Sequence, residues 1–352
     1  MKNIYINNVS ERIKKIETRF KRLKNLVSRE KWDDVDKMLF SFEHLPIRGK
    51  EYWFLLFTSN ESKKGKQFMV TLGNQNVKKY TVDGCEILNG FSDDRHIGPF
   101  SFWFYDKKFY RSRTVSSLII MNNKGMSVNF GKTEFSIKGN YPSYEIKLKE
   151  NGKEVCNLKT KKGSNYMKYE VSEFFKGGMG FGNVNLLLDS EGKLNGSPFR
   201  GQCYLQKVVI TAPLPSVPWY WGRICFSDKS VLTFLQPHIS LSRLSKNFAT
   251  SAYFYDSNKK KKYFFEKVKV RKFGKINKQF LVHGKGKDIE FTLLTENYAK
   301  KEFKINSIGK LNYEQNLVRV NSFSMESGKK MISKKDTGDG IGIIEDAYGY
   351  II

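Results

Sequence analysis

The chain has 352 residues, a formal net charge of +27, and 39% hydrophobic and 14% aromatic side chains. That apolar content excludes global disorder, and the length suits two domains of β type. Cys85, Cys156, Cys203 and Cys225 include no Cys-x-x-Cys pair, and His44, His96, His238 and His283 lack metal-ligand spacing, so neither a disulfide framework nor a metal site is expected.

Up to about Leu45 the chain reads as helical. Val9, Ile13, Ile16, Phe20, Leu23 and Val27 recur at three and four residues and form one stripe, opposite a basic face that includes Arg12, Lys15 and Arg22. Ser28 caps a second helical piece bearing Trp32, Val35, Leu39 and Phe42, which Pro46 stops. A basic amphipathic arm either lies on a membrane or packs on the adjacent domain, and packing is the favoured reading. No apolar stretch before a small-residue cleavage site marks a secretory signal, and no run is long enough to span a bilayer. The expected location is cytoplasmic, with peripheral contact to an anionic membrane surface left open.

From Glu51 the period changes to two. Tyr52–Thr58, Gln67–Leu72, Phe100–Tyr105, Thr114–Met121, Met126–Phe130, Thr133–Lys138 and Tyr144–Leu148 read as short strands joined by turn residues such as Asn151-Gly152. Lys159 to Gly182 is looser, and its glycine run Gly177-Gly178-Met179-Gly180-Phe181-Gly182 lacks the Lys-Ser/Thr of a phosphate loop. Asn183–Leu188 is another strand. The next block is the most informative: Gly201-Gln202-Cys203-Tyr204-Leu205-Gln206-Lys207, a Pro-bearing turn at Pro213 to Pro218, Trp219-Tyr220-Trp221-Gly222-Arg223-Ile224-Cys225-Phe226, a turn at Asp228, and Val231 to Gln236. Period two puts Trp219, Trp221 and Arg223 on one face, and Tyr204 and Gln206 on one face of the preceding strand.

After Gln236 the strand rhythm restarts. Ala252–Tyr255, Tyr263–Lys272, Gln279–His283, Asp288–Leu294, Glu302–Ile305, Tyr313–Val320 and Gly340–Tyr350 follow a bridge near Ile239 to Asn247. In Tyr263–Lys272, strict alternation sets Phe264, Val268 and Val270 on one face and Lys267, Lys269 and Arg271 on the other.

The Gly-x-x-Tyr strand, the Pro-bearing loop, the Trp-x-Trp strand and the Asp hairpin resemble the hydroxyneurosporene synthase/AttH-like family, which includes carotenoid hydratases and has tocopherol cyclases and fungal cyclases as distant relatives. The resemblance runs from about Glu51 onward. It implies an all-β fold of two tandem lipocalin-like β-barrels, here with an N-terminal helical arm over residues 1–45, a first barrel over 46–240 and a second over 241–352. It also implies a bulky apolar substrate or ligand, such as a lipid or isoprenoid.

The expected site is the interior of the first barrel, since barrels of about eight strands can enclose one small ligand. Tyr204, Gln206, Trp219, Trp221, Arg223, Trp53, Trp103 and Tyr105 are its candidate lining. Hydratase-like members carry acids and a His where Gln206, Lys207 and Val208 stand here, and neither Gln nor Val supplies a proton. The favoured function is therefore non-catalytic binding; the alternative is a hydratase, isomerase or cyclase in which Tyr204, Gln206 or Arg223 polarises the substrate. No cofactor is expected. Nucleic acid is an unfavoured partner, because no zinc finger, aromatic RNP motif or helix-turn-helix accompanies the dispersed lysines.

Overall fold

A computed structural model describes residues 33–43, 45, 47–61, 65–77, 79–88, 90–92, 95–122, 124–175, 179–210, 218–237, 251–274, 278–328 and 330–351. The stripe from Val9 to Val27, the Ser28 cap, Trp32, His44, Pro46, Gly177, Gly178, His238 and the bridge at Ile239 to Asn247 lie outside the described residues. The description begins with helix α1 (Asp33–Leu39).

The first half is a closed barrel of ten antiparallel strands. In chain order the half contains β1 (Lys50–Ser59), β2 (Gln67–Gln75), β3 (Lys79–Val82), β4 (Cys85–Leu88), β5 (Gly90–Ser92), β6 (Arg95–Tyr105) and β7 (Phe109–Met121). It continues with β8 (Gly125–Phe130), β9 (Thr133–Asn140), β10 (Ser143–Glu150), β11 (Lys153–Phe175), β12 (Met179–Leu194) and β13 (Ser197–Ile210). The ring closes where β1 pairs with β13 on one side and β2 pairs with β6 on the other. The hairpin β3–β4 leaves this ring and pairs with the second sheet. The described part of the stretch Lys159 to Gly182, read as loose, is paired strand in the long β11–β12 ladder.

The second sheet is built from β14 (Trp219–Phe226), β15 (Val231–Pro237), β16 (Ser251–Asp256), β17 (Lys261–Phe265), β18 (Lys267–Phe273) and β19 (Gln279–Gly286). Then come β20 (Ile289–Ser307), β21 (Gly309–Ser327), β22 (Lys330–Ser333), the short α2 (Lys334–Thr337) and β23 (Gly340–Ile351). Its main path is β17-β16-β15-β14-β23-β21-β20-β19-β18.

The sheets change partners earlier than the boundary near residue 240 expected from sequence. β13 is already flanked by β12 and β1, so it offers no free edge to β14. β14 pairs instead with β15 and with β23, more than a hundred residues on. β13 and β14, read from sequence as neighbouring strands, therefore belong to different sheets, and the turn at Pro213 to Val217 lies outside the described residues.

Period two sorts the side chains. Trp53, Leu55 and Phe57 of β1 point into the first core with Phe100, Phe135 and Leu205, whereas Phe54 and Leu56 point outward. Val35, Leu39, Phe40 and Phe42, from α1 and the residues after it, belong to that same first core. Ile224 and Phe226 of β14 point into the second core with Phe234, Phe254 and Val318. Gly222 makes room there, since a Cβ would lie 2.1 Å from the Phe234 ring. A third cluster joins the outer faces of the two sheets: Leu56, Met69, Trp103 and Tyr204 meet Phe303, Leu317 and Ile343. The two halves therefore pack sheet on sheet.

Candidate functional site

Inside the first barrel the described residues form a packed apolar core, and of the eight expected lining residues only Trp53 lies in it. Trp53 is fully buried, donates its indole N–H to the Leu39 carbonyl at 2.5 Å and meets Phe42 edge-on at 5.7 Å. Tyr144 donates to Asp36 of α1, and so does the Tyr141 backbone N–H. Below α1, Lys207 points inward, 3.5 Å from the fully buried Glu51 carboxylate, and donates to the carbonyls of Met38 at 2.9 Å and Ser41 at 2.6 Å. Segment 33–43 is a plug, held by apolar contact and by charge.

The other expected site residues face outward, toward the second sheet. Tyr204 donates to Asn185 Oδ1 at 2.6 Å and stacks on Trp221 with ring centroids 5.8 Å apart. Trp221 also meets Phe54 edge-on at 5.6 Å. Arg223, 1% exposed, lays its guanidinium over the Tyr204 ring at 4.2 Å and donates to Thr233 Oγ1 at 3.1 Å. Gln206 is half-buried beside Phe54 in the β1–β13 register. Trp103 and Tyr105 sit deeper: Trp103 donates to Gln315 Oε1 at 2.6 Å, and Tyr105 packs on Tyr298. Seven of the eight residues named from sequence thus lie along one seam between the sheets, and Trp53 lies apart from them.

The seam contains one acid that the sequence reading missed. Glu345 of β23 is 7% exposed and stands opposite Trp221 and Gln315 in register. Trp219 donates its indole N–H to Glu345 Oε2 at 3.2 Å, and the Tyr313 hydroxyl donates to Glu345 Oε1. Gln315 Nε2 donates in turn to the Tyr313 oxygen at 2.8 Å. A hydrogen-bonded chain therefore runs from Trp103 through Gln315 and Tyr313 to the carboxylate. Burial pushes Glu345 up to about 7, against the opposing pull of its hydrogen bonds from Tyr313, Trp219 and Gln315. Both protonation states are accessible near neutrality, so the group can donate or accept a proton.

The surroundings are aromatic. Tyr52, Phe54, Trp219, Trp221 and Tyr313 are each partly buried. Trp219 packs on Tyr313 with centroids 5.9 Å apart, and burial together with the Glu345 charge raises the Tyr52 phenol. Partly buried aromatic rings grouped around a buried carboxyl offer apolar surface beside one polar group. The signal for Glu345 was present in the sequence: period two sets it on the face of Ile341, Ile343 and Ala347, an acid on an otherwise apolar strand face.

The remaining candidates fall elsewhere. All four cysteines are free thiols, with Cys203 in the first core and Cys225 at the seam. His96 is buried against Phe42, and His283 is exposed on β19. Among the described residues no three His, Cys, Asp or Glu side chains converge as metal ligands would. No helix among them is long and apolar enough to cross a membrane.

No protein-family model and no curated protein matches the sequence. Solved structures do resemble the fold. CghA with Sch210972 aligns with a TM-score of 0.51 at 9% identity, over 85% of this chain and 88% of that one. CghA alone gives 0.50 at 9% identity, over 88% and 89%. A protein from Nitrosomonas europaea described as AttH gives 0.48 at 12% identity, over 87% and 93%. At these identities the likeness is one of fold, and it extends over both halves of the molecule: the chain shares the tandem lipocalin-like architecture of CghA.

Proposed function

We propose that this protein binds a bulky apolar ligand of lipid or isoprenoid type in the cleft between its two barrels. Trp219, Trp221, Tyr52 and Phe54 clasp the apolar body, and Glu345 with Tyr313 reads a polar group on it. The observation that carries this reading is the pairing of partly buried aromatic rings with a buried carboxyl whose hydrogen-bond partners are all neutral. A buried carboxyl costs free energy, and such a group beside an opening is a functional candidate. CghA, which shares the fold, is a structure with Sch210972, and this supports ligand binding by such an architecture.

The test is organic extraction of the protein purified from its native host, followed by mass spectrometry. An apolar molecule retained by the wild type and lost in Trp221→Ala is the expected result. Absence of any retained apolar molecule, together with no quenching of tryptophan fluorescence by polyenes or isoprenoids, overturns the reading.

A second reading has its own support. With its carboxyl at about 7, Glu345 suits general acid–base chemistry, and the hydratase, isomerase or cyclase alternative would run through it and not through Gln206. Product formation that Glu345→Gln abolishes while binding persists selects the enzyme over the binder; the same loss in Gln206→Ala alone would return the chemistry to Gln206.

A further inference from the structure

The second barrel carries a basic face on β17, β18 and β19. β17 and β18 are separated by Glu266 alone, and the bend there reverses the alternation. Tyr263, Phe265, Val268 and Val270 all point into the second core, which leaves Phe264, Lys267, Lys269, Arg271 and Phe273 together on the outer face. Strict alternation had set Phe264 with the buried valines; it is 57% exposed, and Phe273 is 40% exposed. Across the ladder Lys267 pairs directly with Lys285, and both are exposed. Like charges held opposite one another destabilise a sheet, and Glu290, opposite Lys285 on β20, offsets part of that repulsion. Among the described residues no carboxylate forms an ion pair with Lys267, Lys269, Arg271 or Lys285.

We infer that this face docks the protein on an anionic lipid bilayer, with Phe264 and Phe273 entering the interface and the lysines resting among the headgroups. The chain's charge of +27 complements such a surface. Exposed aromatic side chains flanked by lysines are the chemistry of interfacial seating. Single-stranded nucleic acid fits less well. The two phenylalanines are nine positions apart on consecutive strands, up to about 30 Å of extended chain, too far for successive stacked bases. The cross-strand neighbour of Phe264 is Tyr253, which is buried, so no aromatic platform adjoins it. The inference stands independently of the cleft, and it identifies a face where a lipid-borne ligand and the protein would meet.

The test is co-sedimentation of the full chain with vesicles of phosphatidylcholine, alone or mixed with phosphatidylserine. Binding is expected on the mixed vesicles and to weaken as salt rises. Lys267→Glu/Lys269→Glu/Lys285→Glu should weaken it by about a hundredfold or more, at the usual contribution of a lysine near an anionic surface. Phe264→Ser/Phe273→Ser should weaken it by about tenfold, from partial burial of two rings. The same charge reversal on the first barrel, Lys149→Glu/Lys159→Glu/Lys193→Glu, serves as control and should have little effect. Equal loss from both triple variants, or full binding by the serine variant, overturns the inference. So does tight oligo-dT binding that depends on Phe264 and Phe273, which would assign the face to single-stranded nucleic acid.

Discussion

Two buried glutamates, one in each half of the molecule, are perturbed in the same direction and by the same main cause. Burial raises both Glu51 and Glu345 well above the ordinary carboxylate range. Their surroundings differ. Glu51 faces Lys207 at 3.5 Å, accepts from Asn74 Nδ2 at 2.7 Å and from the Glu43 backbone N–H at 3.1 Å. Lys207 also binds the Met38 and Ser41 carbonyls, and Glu43 belongs to the plug, so these contacts hold the plug in the first barrel. Glu345 accepts hydrogen bonds from Tyr313 and Trp219, among rings that are partly buried. A perturbed acid is therefore not by itself a site; Glu345 differs from Glu51 in having neutral partners, among partly buried aromatic rings, and no lysine counter-charge.

The largest expected effect breaks the Glu51 side. Lys207→Met leaves a carboxyl buried without its counter-charge and should cost about 3–5 kcal/mol in urea unfolding. Adding Glu51→Gln should restore part of that loss, as it removes the orphaned charge. If Lys207→Met proves near-neutral, the pair does not hold the plug.

The next effect concerns pH. Glu345 moves from the ordinary 4.5 to about 7 in the folded chain, so the folded state holds its proton more tightly than the unfolded one. Its stabilising contribution is complete below about 4.5 and is lost as pH rises toward about 7. The loss integrates to about 3 kcal/mol. Glu345→Gln should flatten that part of the stability profile, measured by unfolding across the window. A profile unchanged by the substitution would mean that Glu345 is not raised.

Smaller effects sharpen the contrast. Trp221→Ala should lower affinity for a polyene probe by about 2 kcal/mol, with some loss of stability, because it removes stacking on Tyr204 and the edge contact with Phe54. Trp53→Phe removes the hydrogen bond to Leu39 and should cost about 1 kcal/mol of stability. It should leave probe affinity unchanged, because Trp53 belongs to the plugged core.

Much of this was legible in the amino-acid order, and the misses have physical reasons. The alternation in β1, β6 and β14 made the strands and the shared face of Trp219, Trp221 and Arg223 readable, since side-chain parity is a local property. The barrel to which β14 belongs was not readable, because both of its faces are apolar and its partner β23 lies far along the chain. The eight site residues were chosen as one cavity lining; parity separates Trp53 from the rest, and only the strand order tells which face is inside. Phe264 was misassigned because a bend at Glu266, without Gly or Pro to mark it, reverses the alternation. Glu345 was passed over although its apolar neighbours at Ile341, Ile343 and Ala347 marked it as unusual.

The central claim is that an apolar ligand occupies the cleft between the barrels and not the interior of the first. Photo-crosslinking with an apolar diazirine-bearing isoprenoid, read by peptide mass spectrometry, tests it directly. Adducts should concentrate on Trp219, Trp221, Tyr52, Phe54 and Tyr313, and should fall when Trp221 is changed to Ala. Adducts on the inward-facing Trp53, Phe100 or Phe135, unaffected by that substitution, would contradict the account.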